Sequence, residues 1–95
     1  MRKVDFTKKA NRKFQELHDN IAERQSPKAA KKFTEDFKNI IGLVQENPEM
    51  FERSQERPIL RRGLFGKYGG FFYRVFKKAI RVVTFYDTRM DKKNH

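Results

Sequence analysis

The stretch GGFFYRVFKKAIRVVTFYDTR, Gly69 to Arg89, reads as two apolar strands joined by a short lysine turn. Phe71 to Phe76 and Ile80 to Tyr86 have the length and the aromatic and β-branched content of strands. Arg74 and Arg81 lie inside them, and Arg89 closes the second. Side chains alternate between the two faces of a strand. Phe71, Tyr73 and Val75 therefore share one face, and Phe72, Arg74 and Phe76 the other. In the last strand Ile80, Val82 and Thr84 alternate with Arg81, Val83, Phe85, Asp87 and Arg89. An even register gathers the arginines on one face with Phe72, Phe76, Val83 and Phe85. That face is too apolar to stay bare and too basic for ordinary core, the pattern of a surface completed by a partner. A two-residue Lys77-Lys78 turn would set Arg74 directly opposite Arg81, where like charges repel. A wider loop of the same parity avoids this, and the residues leave both registers open.

Upstream, the period changes from two to that of a helix. Lys3 to Phe6 can form a first strand, and Thr7 can cap the helix that follows. Ala10, Phe14, Leu17 and Ile21 line one helical face. Ser26-Pro27 restarts the helix with a cap and a first-turn proline. Ala30, Phe33, Phe37, Ile40 and Val44 continue one stripe, widened by Ile41, and Asn47-Pro48 ends it. Two such helices form an antiparallel hairpin. Met50 and Phe51 anchor a loop, Pro58 to Leu64 makes a strand interrupted at Gly63, and Gly66, Gly69 and Gly70 make the next connection flexible. The order is β-α-α-β-β-β. The fold class is α+β: an N-terminal strand and a helical hairpin packed on one face of a small antiparallel sheet. Phe14, Phe33, Phe37 and Val82 should be buried where helices meet sheet.

With 95 residues the chain reads as one domain, 1–95, with 91–95 a flexible tail. Ten phenylalanines can build a compact core. There are 23 Lys and Arg against 12 Asp and Glu, and the net charge of +11 points to an anionic partner. Between Arg57 and Tyr86 stand eight basic residues and no acidic one. The absence of cysteine excludes a disulfide scaffold, a thiol nucleophile and cysteine-bound zinc, and suits the cytosol. No segment approaches the ~20 apolar residues of a membrane span, and the N-terminus lacks the apolar stretch of a signal peptide. The expectation is a cytoplasmic protein with no membrane partner.

GLFGKYGG lacks the Gly-Lys-Ser/Thr ending of a phosphate-binding loop, and a strand follows it rather than a helix. GGFFYRVF lacks the basic-Gly-aromatic opening of an RNA-recognition strand, although base stacking on outer aromatics is compatible with it. No metal cluster and no cofactor motif is present. Glu35 and Asp36 are adjacent on a helix and cannot face each other as an acid pair. Any catalysis must rest on Arg, Lys, Tyr or His95. Arg61, Arg62, Lys67, Arg74, Arg81 and Arg89 are candidates to stabilise charge on a phosphodiester.

SPKAAKKFTEDFKNIIGLVQENPEMF (Ser26 to Phe51), RPILRRGL (Arg57 to Leu64) and FYRVFKKAIRVVTFYDTR (Phe72 to Arg89) together resemble the RelE/ParE superfamily of type II toxins. The resemblance runs from about Val4 to Asp91. It implies the same helical hairpin on a sheet, and a cognate antitoxin whose acidic, disordered segment folds along the toxin. RelE-like members cleave messenger RNA on the ribosome, whereas ParE-like members poison DNA gyrase and are not known as nucleases. In a ribonuclease, Arg61, Arg89 and His95 would be the matching catalytic residues. The third-strand position that is basic in such enzymes is Gly70 or Phe71 here. SPKAA and FYRVF lean toward the ParE-like branch, so gyrase poisoning is the expected activity and ribosome-dependent cleavage the alternative. Surface residues for the target or the antitoxin would be Arg61, Arg62, Lys67, Phe72, Arg74, Phe76, Arg81, Phe85 and Arg89. A stand-alone RNA-binding module is the rival of another class.

Overall fold

The structure, a computed structural model, describes residues 1–89. His95 and the tail 91–95 lie outside the described residues. The element order is β1 (Lys3–Phe6), α1 (Lys8–Arg24), α2 (Pro27–Glu46), β2 (Arg61–Phe65), β3 (Gly69–Val75) and β4 (Ala79–Asp87). Both helix starts are capped as the sequence suggests. Thr7 Oγ1 accepts from the Ala10 N–H at 3.0 Å, and Ser26 Oγ accepts from the Ala29 N–H at 3.0 Å, with Pro27 in the first turn. The Asn47 N–H closes α2 on the Leu43 carbonyl just before Pro48. Gly42 lies inside α2, and a Cβ there would meet nothing within 4 Å. Gly42→Ala should therefore stabilise the protein by about 0.5–1 kcal/mol in urea denaturation, the intrinsic difference between the two residues in a helix. A loss of stability would mean that the α2 backbone needs glycine there.

The sheet runs β1-β4-β3-β2, with the helix pair on one face. β2, β3 and β4 pair antiparallel, whereas β1 joins the edge parallel to β4, from Lys3↔Ala79 to Phe6↔Val82. The first and last strands are thus neighbours in the sheet. The Lys77-Lys78 turn is the tight one: the Phe76 N–H donates to the Ala79 carbonyl at 2.8 Å, and Arg74 faces Arg81 across the ladder.

One expectation is overturned by a bulge. Tyr73 pairs with Val82 but Phe72 pairs with Thr84, so Val83 is an extra residue in β4. Parity switches beyond it. Phe85 faces Phe71 on the helix side and is 2% exposed, instead of lying on the arginine face. The cause lies at the start of α1. The Thr7 N–H donates to the Val82 carbonyl at 3.1 Å, and its hydroxyl donates to the Val83 carbonyl at 2.6 Å. The cap residue thereby holds two successive β4 carbonyls.

The core centres on Phe37, whose ring lies 4.9 Å from that of Phe85, 5.3 Å from Phe65 and 5.4 Å from Phe71. Val82 is buried, but Phe14 and Phe33 are only half-buried and close the margin of this cluster. Tyr73 is fully buried, and its hydroxyl donates to the Pro48 carbonyl at 2.9 Å, pinning the loop after α2. Burial pushes its pKa up, against the Arg61 charge and a backbone bond at Phe51. β2 starts later than Pro58 because Pro58 to Leu60 turn back, with the Leu60 N–H on the Arg57 carbonyl. Gly69 and Gly70 are not flexible connectors: they open β3. The turn itself is Gly66–Tyr68, with Gly66 at φ +57°.

Candidate functional site

The face of the sheet away from the helices carries Arg62 and Leu64 from β2, Phe72 and Arg74 from β3, Arg81, Thr84 and Tyr86 from β4, and Asp5 from β1. One arginine stands on each of three neighbouring strands, and the structure shows what holds each one.

At one end, Arg74 and Arg81 face each other, an unfavourable placement for like charges. The ring of Phe76 carries both guanidiniums, at 4.6 and 4.9 Å from its centroid. Ring quadrupoles attract such cations. The Arg81 Nε also donates to Asp5 Oδ1 at 2.8 Å across the parallel β1–β4 pair. This bond, and then the Asp5 charge, raise the Arg81 pKa. Among the described residues no carboxylate pairs with Arg74.

At the other end, Arg62 Nε donates to the Tyr86 hydroxyl, and its guanidinium lies 5.3 Å from the Tyr86 ring centroid. Phe72 stacks on Tyr86 at 5.3 Å. Tyr86 lies flat over Gly70, where any Cβ would overlap its ring. A third group closes β4. The Arg89 guanidinium lies 3.9 Å above Tyr68 and pairs with Asp87, Nη2 to Oδ2 at 2.7 Å. The hydrogen bond that Arg89 donates to Asp87 is the main reason the Arg89 pKa is raised. The Thr88 N–H on the Tyr68 carbonyl at 2.9 Å fixes this corner to the β2–β3 turn, where Lys67 is exposed.

Of the residues singled out from sequence, Arg62, Phe72, Arg74, Phe76 and Arg81 come together on this face. Lys67 lies in the β2–β3 turn, and Arg89, expected on this face, is turned by the β4 bulge toward α1, where it and Asp87 line a cleft of about 740 Å³ with Lys13, Leu17 and Arg24. Phe85 does not belong, since the bulge turns it into the core. Arg61 points to the helix side, where Nη1 donates to the Phe51 carbonyl at 2.7 Å and lines a cleft of about 280 Å³ with Arg53, Glu49 and Arg74. Sequence reasoning missed Tyr86, Tyr68 and Asp5. Without the bulge, Tyr86 falls on the wrong face, and Asp5 enters only through the parallel edge pair. On the helix side, an apolar groove of about 550 Å³ opens between β1 and the helices, walled by Val4, Phe6, Phe14, Phe37, Ile41 and Phe85.

A family model described as "ParE toxin of type II toxin-antitoxin system, parDE" matches residues 4–92. The chain belongs to the ParE toxin family. Among curated proteins none matches it in sequence. A solved structure described as the "Chromosomal ParDE TA system from P. aeruginosa" shares the fold, with a TM-score of 0.77 and 20% identity over 92% of this chain and 96% of that one. Membership of the ParE family makes the chain the toxin component of a type II pair, which implies a cognate antitoxin. Among the described residues of this ParE toxin, no helix is long and apolar enough to cross a membrane.

Proposed function

We propose that this toxin arrests growth by poisoning DNA gyrase through the arginine face, and that an antitoxin with an acidic, disordered segment neutralises it. The match to the ParE branch over residues 4–92 carries this reading. Two arrangements support it over ribonuclease action. Arg61 is spent on the Phe51 carbonyl, and Arg89 is held by Asp87 and Tyr68, so neither guanidinium stands ready for a scissile phosphate. The third-strand position before the aromatics is Gly70, whose site is filled by the Tyr86 ring. For the antitoxin, the groove at Phe6 and Phe14 suits the apolar side of an amphipathic segment, and the +11 charge suits its acidic side.

The test is induced expression in bacteria. Growth arrest should follow, and co-expression of a small acidic protein from the adjoining reading frame should relieve it. Arg89→Ala should relieve arrest by itself with the far-ultraviolet dichroism unchanged, because the residue is exposed just beyond the end of β4. Arrest undiminished in Arg89→Ala would place the target contact elsewhere. No arrest, together with no acidic neighbour, would favour a stand-alone RNA-binding module.

A further inference from the structure

The three face arginines form a track that crosses the sheet. Arg62, Arg74 and Arg81 stand on β2, β3 and β4, with Arg62 opposite Phe72 and Arg74 opposite Arg81. Strand spacing of ~4.8 Å and a rise of ~3.4 Å per residue give the track a length of about 12 Å. Asp5 is the one carboxylate that the described strands place on this face, and it is committed to Arg81. Arg74 also borders the cleft walled by Arg53 and Arg61, and the exposed lysines of the Lys77-Lys78 turn continue the positive charge.

The rings on this face position cations. Phe76 carries two guanidiniums, and Tyr86 is engaged by Arg62 and Phe72. Such an array offers several charges along one line and a planar fork suited to phosphate oxygens. Its arginines lie along the strands of a sheet face, a placement suited to backbone contact. A chain of phosphates matches a line of arginines held against their own repulsion better than isolated carboxylates do.

We propose that this face binds the phosphodiester backbone of duplex DNA, without sequence preference, and thereby holds the toxin on gyrase-bound DNA. The choice of duplex DNA rests on the gyrase reading; the affinity for a phosphate backbone does not.

The experiment is an anisotropy titration of the full chain against a short labelled duplex, across a series of salt concentrations and with two unrelated sequences. Contacts to roughly three phosphates predict log Kobs falling with log salt at a slope of about −3. Arg74→Ala should reduce that slope by about one and weaken both sequences equally. Lys31→Ala, on the exposed side of α2, should change neither. The inference is overturned by absence of duplex binding, by equal losses in Arg74→Ala and Lys31→Ala, or by tighter binding of an unstructured RNA than of the duplex. It is also overturned if Arg74→Ala, folded by dichroism, keeps duplex binding and loses only the antitoxin. Inhibition of gyrase by the wild-type chain, measured alongside, separates the two claims. Inhibition without DNA binding sinks the inference alone, and DNA binding without inhibition sinks the gyrase reading while sustaining the backbone contact.

Discussion

Phe37→Ala should destabilise this protein by about 3–5 kcal/mol, the usual range for emptying a buried phenylalanine site. Phe37 is 6% exposed and its ring touches those of Phe65, Phe71 and Phe85 within 5.4 Å. Those three come from three different strands, so the hole cannot be filled by shifting one element. Phe14 and Phe6, both 6.0 Å away, connect the same ring to α1 and to the sheet edge. Domains are stable by about 5–15 kcal/mol, so one substitution removes a large share. Urea denaturation measures it, and a loss below about 1 kcal/mol would mean that α2 does not pack as described.

Gly63→Ala should cost about 3 kcal/mol, the upper part of the overpacking range. A Cβ at residue 63 would fall inside the Phe71 ring. Phe71 has no room to withdraw: it is fully buried, with Tyr73 at 5.5 Å, Phe65 at 5.9 Å and Phe51 at 6.2 Å. The contrast with Gly42 is informative. One methyl group should destabilise at Gly63 and stabilise at Gly42, since only the first site has a ring over the backbone. Equal behaviour of the two variants in denaturation would contradict the placement of Phe71.

Much of this architecture is legible in local residue chemistry. Thr7, Ser26-Pro27 and Asn47-Pro48 mark helix boundaries because each satisfies or removes specific backbone hydrogen bonds. The period-two pattern from Phe71 to Val82 places the core side correctly up to Val82. It fails at Val83, because the bulge depends on Thr7, a residue 76 positions away that no local pattern connects to it. Local alternation therefore puts Phe85 on the wrong face and gives no sign of Tyr86. Gly63 looks like a strand interruption in sequence, and Gly69 and Gly70 like flexibility, but each leaves space for a ring: Phe71, Phe65 and Tyr86. The apposition of Arg74 and Arg81 looked unfavourable as a pair. It holds because Phe76 and Asp5 stand beside it, and Asp5 arrives through a strand at the opposite end of the chain.

Plasmid supercoiling by purified gyrase, with the purified full-length toxin titrated in, tests the central claim most directly. The account predicts inhibition by the wild-type chain, weakened in Arg89→Ala, and no cutting of messenger RNA on translating ribosomes. Ribosome-dependent cleavage that disappears in His95→Ala, with gyrase unaffected throughout, would contradict it.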